Sequence, residues 1–271
     1  MKPGRIMASK QDAPLKIYDA AEETSKKGFF NSIRRLSMKM LLVIGILLFG
    51  LAAIVSTVIV AAHLSSKRVS EAEYEELRSL AGDITASADE QGTVSWSELD
   101  AEMRSINPDF VCWIKIDGTN IDYPVVRGND NEHYINTSFY GESNKAGALF
   151  MDYRIVSDSI PHLIIYGHNL IEGGMFTDLR KFLDDRFLND NNIITLTLNG
   201  TEVEFVIFSA RLSDIEDPAY DLNIANPRHF ARFADRVDAP LAATQILTLS
   251  TCSNEGDDDV RMIVQGYRLY D

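Results

Sequence analysis

From Met40 to Ala62 the chain runs twenty-three residues without a charged side chain. A helix at the surface of a soluble domain carries one apolar stripe, whereas this run is apolar on every face. At 1.5 Å per residue it spans about 34 Å as a helix, enough to cross the hydrocarbon core of a bilayer. It is rich in Leu, Ile and Val and holds Gly45 and Gly50, which membrane helices tolerate. The sequence therefore predicts a transmembrane helix over 40–62. The alternative is a cleaved signal peptide, with Val60 and Ala62 supplying the cleavage site. Such a peptide carries a shorter apolar region, about 7–15 residues, after a short basic start.

Charge orients the segment. Residues 1–39 hold nine Lys/Arg against four Asp/Glu, a net of +5, while the whole chain is at −14 and the remainder therefore at −19. Lys26, Lys27, Arg34, Arg35 and Lys39 precede the apolar run; beyond it, Glu71, Glu73, Glu75 and Glu76 outnumber Lys67 and Arg68. The positive-inside rule places the N-terminus in the cytoplasm and the large domain outside. An acidic domain lacks the basic face that phosphate contacts need, so nucleic acid is excluded as a partner. Two cysteines, Cys112 and Cys252, allow one disulfide at most, and the surroundings of Cys252 favour a free thiol. No Cys/His spacing resembles a zinc site, and no metal or cofactor is expected.

Four regions follow: a basic arm over 1–39, the membrane helix over 40–62, an extracytoplasmic stalk over 63–95 and a folded domain over 96–271. The stalk is rich in Glu, Ala and Leu to about residue 90 and reads as a helix that frays near Gly82. Ser95-Trp96-Ser97-Glu98 has capping-box spacing, predicting a short helix to about Ile106 that Asn107-Pro108 ends. Strand texture follows at Val111–Ile116, Asp122–Val126, Ala148–Tyr153 and His162–Tyr166. Ile193–Leu198 and Glu202–Ser209 flank Asn199-Gly200, a strong hairpin signal, and Ile246–Cys252 and Val260–Tyr267 form a last pair. Helical stretches interrupt them near Met175–Leu183 and Pro227–Val237. About eight short strands predict a mainly β domain, a closed barrel or a sandwich.

Three residues carry the candidate chemistry. Cys252 ends a strand and precedes the polar loop Ser253–Asp259, whereas a structural cysteine normally sits among apolar neighbours. His168 follows the apolar strand Leu163-Ile164-Ile165 within Tyr166-Gly167-His168-Asn169. Arg261 interrupts the apolar strand Val260–Val264 and either faces solvent by alternation or sits paired in a site. Each is ambiguous alone. Together they supply a thiolate nucleophile, a proton donor for a leaving amine and a permanently charged donor for an oxyanion.

Thr248-Leu249-Ser250-Thr251-Cys252 resembles the TLxTC signature of the sortases, with Arg261 nine residues on and Tyr166–Asn169 similar to the family's His motif. Asn107–Val126, Lys145–Arg154, Met175-Phe176 and Asp178-Leu179 are similar to class B in particular. The resemblance covers nearly all of residues 96–269. It implies an eight-stranded sortase β-barrel with N-terminal helices and short inserted helices, here preceded by one transmembrane helix. It implies Cys252 as nucleophile, His168 as general acid, Arg261 as stabiliser of substrate and oxyanion, and Ser250 and Thr251 in the substrate groove. The implied reaction cuts a C-terminal sorting signal after Thr, forms a thioester on Cys252 and passes the acyl group to an amine. The implied partners are surface proteins or pilins carrying a sorting motif, with a cell-wall precursor amine or a pilin lysine as acceptor.

Three features depart from the family pattern. Cys112 stands where the family commonly has Gly and reads as a small buried strand residue. The stretch between Ser213 and Ile246 is short for class B. Asp257-Asp258-Asp259 reads as a solvated acidic loop. Two other functions compete: a cysteine hydrolase in which water resolves the thioester, and an anchored, non-catalytic binding module.

Overall fold

The computed structural model describes residues 38–86, 96–170, 173–252 and 260–268. The basic arm, the Ser95 cap and the acidic loop lie outside them. Among the described residues eight strands form: β1 (Phe110–Lys115), β2 (Asp122–Val126), β3 (Leu149–Met151), β4 (His162–Tyr166), β5 (Ile193–Leu198), β6 (Thr201–Ser213), β7 (Gln245–Cys252) and β8 (Arg261–Arg268). They close a barrel in the order β1-β2-β3-β4-β7-β8-β6-β5, so no strand is left with an open edge. The pairs β2–β3 and β4–β7 are parallel and the others antiparallel.

Local sequence explains most of these elements. Asn199 and Gly200 both take positive φ, +47° and +74°, closing the β5–β6 hairpin with the twist a type I′ turn supplies. β6 continues four residues past the Ser209 end that alternation predicts. A register irregularity between Ile207 and Ser209 breaks the alternation without ending the pairing, which runs on to Ser213 opposite Arg261. β3 is shorter than expected because Asp152 leaves the ladder and turns its carboxylate onto the Arg154 amide at 3.0 Å. The helix expected near Met175–Leu183 is a 3-10 helix over Thr177–Leu183, followed by a short α-helix at Asp185–Asp190 whose first amides Asp184 caps. Between β6 and β7 lie a 3-10 turn, Pro218–Tyr220, and the helix Pro227–Arg236, capped by Asn226.

The chain divides into two compact units, 1–63 and 64–271. A helix α1 is continuous over Met38–Ala86, passing Gly82 without fraying. In the first unit its Met40–Val60 stretch is apolar and exposed, long enough to cross a membrane. In the second unit the later turns of α1 belong to the domain core: Tyr74, Leu77 and Ala81 are buried there. Burying Leu77 alone contributes roughly 2 kcal/mol. Helix α2 (Trp96–Ile106) adds Leu99 and Met103 to the same core. Cys112 faces the core as a free, fully buried thiol; burial holds it protonated by pushing its titration far up. The single disulfide weighed from the sequence is therefore not formed.

Candidate active site

Backbone register assembles the site. In the parallel pair β4–β7, Tyr166 aligns with Ser250, and the Gly167 amide donates to the Ser250 carbonyl at 3.1 Å. His168 therefore leaves β4 at the level where β7 reaches Thr251 and Cys252. In the antiparallel pair β7–β8, Cys252 lies directly opposite Arg261; Cα atoms so paired are about 5 Å apart. The ends of β4 and β7 and the start of β8 thus meet at one barrel end.

A cleft of about 440 Å³ opens there, lined by His168, Ser250, Thr251 and Arg261. Its other walls are Ile135, Phe150, Tyr166, Ile215 and Tyr220. The four sequence-predicted side chains thus share one cleft, with Cys252 next along the strand from Thr251.

His168 Nε2 lies 2.7 Å from the Ile135 carbonyl. A carbonyl only accepts, so Nε2 carries the hydrogen and Nδ1 is left for chemistry. The His168 carbonyl is held by the Phe176 amide at 3.0 Å. Thr251 is 3% exposed and its hydroxyl has no hydrogen-bond partner among the described residues. Ser250 is engaged instead: its Oγ is 2.7 Å from the Tyr220 hydroxyl.

Behind the walls lie two buried polar systems. Asp152 accepts from Asn131 at 3.0 Å, Tyr166 at 3.1 Å and Arg154 at 2.7 Å. Burial pushes the Asp152 carboxyl up, but the Arg154 side chain and amide together with Asn131 outweigh it and hold the carboxyl below the usual range. On the other side His162 bridges the Asp221 carbonyl and the Thr248 hydroxyl, both at 2.9 Å. Nδ1 must donate to that carbonyl, so the Thr248 hydroxyl donates to Nε2 and accepts from Gln265, whose side-chain oxygen takes Arg211 at 2.9 Å. Arg211 in turn grips Asp217 through two hydrogen bonds at 3.0 and 2.6 Å. Asp217 caps the turn that carries Tyr220. Burial drives the pKa of His162 down to about 4, so it is neutral and structural at pH 7.

Sequence reading missed Ile135, Tyr220 and the Asn131–Asp152–Tyr166 group. Ile135 acts through a backbone carbonyl, which no side-chain pattern reports. Asp217-Pro218 was a legible turn, but only the fold shows that it turns Tyr220 toward Ser250.

A closed eight-stranded barrel with a cleft at one end is the frame of this protein, and a model of the sortase domain matches residues 114–269, more than half of the chain; the chain belongs to the sortase family. Sortase B of Listeria monocytogenes is 32% identical over 176 residues, covering 61% of this chain and 72% of that protein. Sortase B of Staphylococcus aureus is 28% identical over 237 residues, covering 84% and 93%. A solved Staphylococcus aureus sortase B–substrate complex superposes with a TM-score of 0.66 at 26% identity, covering 75% of this chain and 97% of that one. Within the family, then, this is a class B cysteine transpeptidase.

Proposed function

We propose that the enzyme is anchored by its 40–62 segment, N-terminus in the cytoplasm, and works at the outer membrane face on C-terminal sorting signals. Cys252 passes its thiol proton to Nδ1 of His168, giving an imidazolium, and the thiolate attacks the carbonyl carbon of the Thr residue in that signal. Arg261, opposite Cys252 on β8, offers the oxyanion a guanidinium that stays charged. The carbon–nitrogen bond then breaks, and the leaving amine takes a proton from Nδ1 of His168, giving a thioester on Cys252. An incoming amine attacks the thioester, returns a proton to His168 and releases the thiolate. The acceptor is an amine of a cell-wall precursor or a pilin lysine, so the products are anchored surface proteins or assembled pilins. Thr251 offers its unpartnered hydroxyl to the bound peptide, and Ser250 supports the groove through Tyr220.

The observation carrying this reading is the register that sets Cys252 opposite Arg261 and His168 at the end of the neighbouring parallel strand. Its test uses a quenched-fluorescent peptide library with Thr fixed at the cleavage position. Cleavage is expected from the wild type, loss of it in Cys252→Ala, and faster turnover on adding hydroxylamine. Undiminished cleavage by Cys252→Ala would refute the reading. Purely hydrolysed product in the presence of amine acceptors would make the enzyme a hydrolase instead.

A further inference from the structure

We propose that Tyr74, on the helix preceding the barrel, is a positioning residue that sets the ring and backbone of His168; this rests on the reading of His168 as the general acid. Tyr74 is 3% exposed, and a phenylalanine would fill the same core volume without burying a hydroxyl that must then be satisfied. The hydroxyl donates to the Gly147 carbonyl at 2.7 Å. Gly147 sits at φ +61°, where a side chain is strained in any case. A Cβ there would also lie 2.5 Å from the carbonyl oxygens of Tyr134 and Ile135. The Gly147 backbone is thus packed directly against the carbonyl that holds His168 Nε2. The neighbouring Ala148 amide fixes the same stretch by donating to Tyr134 at 3.0 Å.

A second route reaches the backbone of His168. The Tyr74 ring meets the Tyr123 ring edge-on, centroids 5.2 Å apart. The Tyr123 hydroxyl accepts from the Met175 amide at 3.2 Å. Met175 takes φ +47° and forms a bridge with Asn169, the residue after His168. The next amide, of Phe176, holds the His168 carbonyl. One buried tyrosine therefore reaches the support beneath the imidazole through Gly147 and the loop that carries it through Tyr123. Since a group misplaced by about 1 Å costs on the order of a hundredfold in rate, partial loosening is expected to show in kcat.

The test uses the full chain in detergent micelles and the best-cleaved peptide of the library. Tyr74→Phe, which removes one oxygen, is expected to lower kcat on the order of tenfold with KM unchanged. It is also expected to shift the Nε2–H resonance of His168 in imidazole-selective NMR. An unchanged kcat and an unchanged resonance would overturn the proposal. If Tyr74→Phe does not fold, Tyr123→Phe decides: a lower kcat at constant KM supports the coupling, and an unchanged kcat overturns it. His168→Ala separates the two levels of the argument. Loss of cleavage there with full activity in Tyr74→Phe defeats this inference alone; retained cleavage in His168→Ala defeats the general-acid reading beneath it.

Discussion

His162 stores a pH dependence that belongs to the fold rather than to the chemistry. It is fully buried, hydrogen-bonded at both nitrogens and stacked 4.4 Å from the Phe233 ring. Burial is the dominant influence and lowers its pKa to about 4, against weaker opposing pulls from the Asp221 carbonyl and the Asp221 and Asp152 charges. An unfolded histidine titrates near 6.5. Between those two values the unfolded chain binds the extra proton, so stability rises with pH across the window. The contribution is complete above about pH 6.5 and is lost progressively toward pH 4; the shift corresponds to roughly 3 kcal/mol. Urea unfolding of the full chain in micelles, followed by tryptophan fluorescence between pH 4 and 7.5, measures it. His162→Gln keeps a polar partner for Thr248 but does not title a proton, so the wild type should lose about 3 kcal/mol more than the variant over that range. Asp217, also held below the usual carboxylate range but with no charge interaction with His162, loses its own contribution at the acid end in both proteins and cancels in the difference. Parallel pH profiles for the two proteins would refute the reasoning.

Two further outcomes test the cleft walls. Thr251→Val removes a buried hydroxyl without a described partner, so stability should hold or rise by up to about 1 kcal/mol; kcat/KM should fall if the hydroxyl meets substrate, which melting and peptide cleavage on one sample would show. Asp217→Asn breaks the two-point grip of Arg211, at an expected cost of about 1–3 kcal/mol in urea unfolding. It should also slow cleavage by freeing the turn that holds Tyr220 against Ser250. Burial pushes the Asp217 carboxyl up but Arg211 and the Ala219 amide more than offset it, so this stabilisation is present above the unfolded carboxylate range and fades as pH falls below it.

Much of the architecture was legible because it rests on local rules. Charge-free length marked the 40–62 segment, and an apolar helical stretch lies there over Met40–Val60. Asn199-Gly200 specified a hairpin because few residues accept two consecutive positive φ values. All eight strands were found, with errors where a local rule was interrupted: the register irregularity in β6 and the side-chain turn at Asp152. The later turns of α1 read as a stalk by composition, since their many glutamates suit an exposed helix. The fold buries Tyr74, Leu77 and Ala81 on its other face, a division that composition averages away.

For the site, the residue types and their order along the chain were enough to nominate Cys252, His168 and Arg261, because each chemical role admits few side chains. Their meeting was not readable from sequence: it depends on β4 pairing in parallel with β7 and on β7 facing β8 in one particular register. Slipping that pairing by one residue would turn every side chain to the opposite face. Tertiary structure alone also supplied the supports. The Ile135 carbonyl, the Gly147 backbone and the Tyr74 hydroxyl act through main-chain atoms or across long separations. Such contacts leave no periodic trace in a sequence, because they are decided by closure of the barrel rather than by any neighbour along the chain.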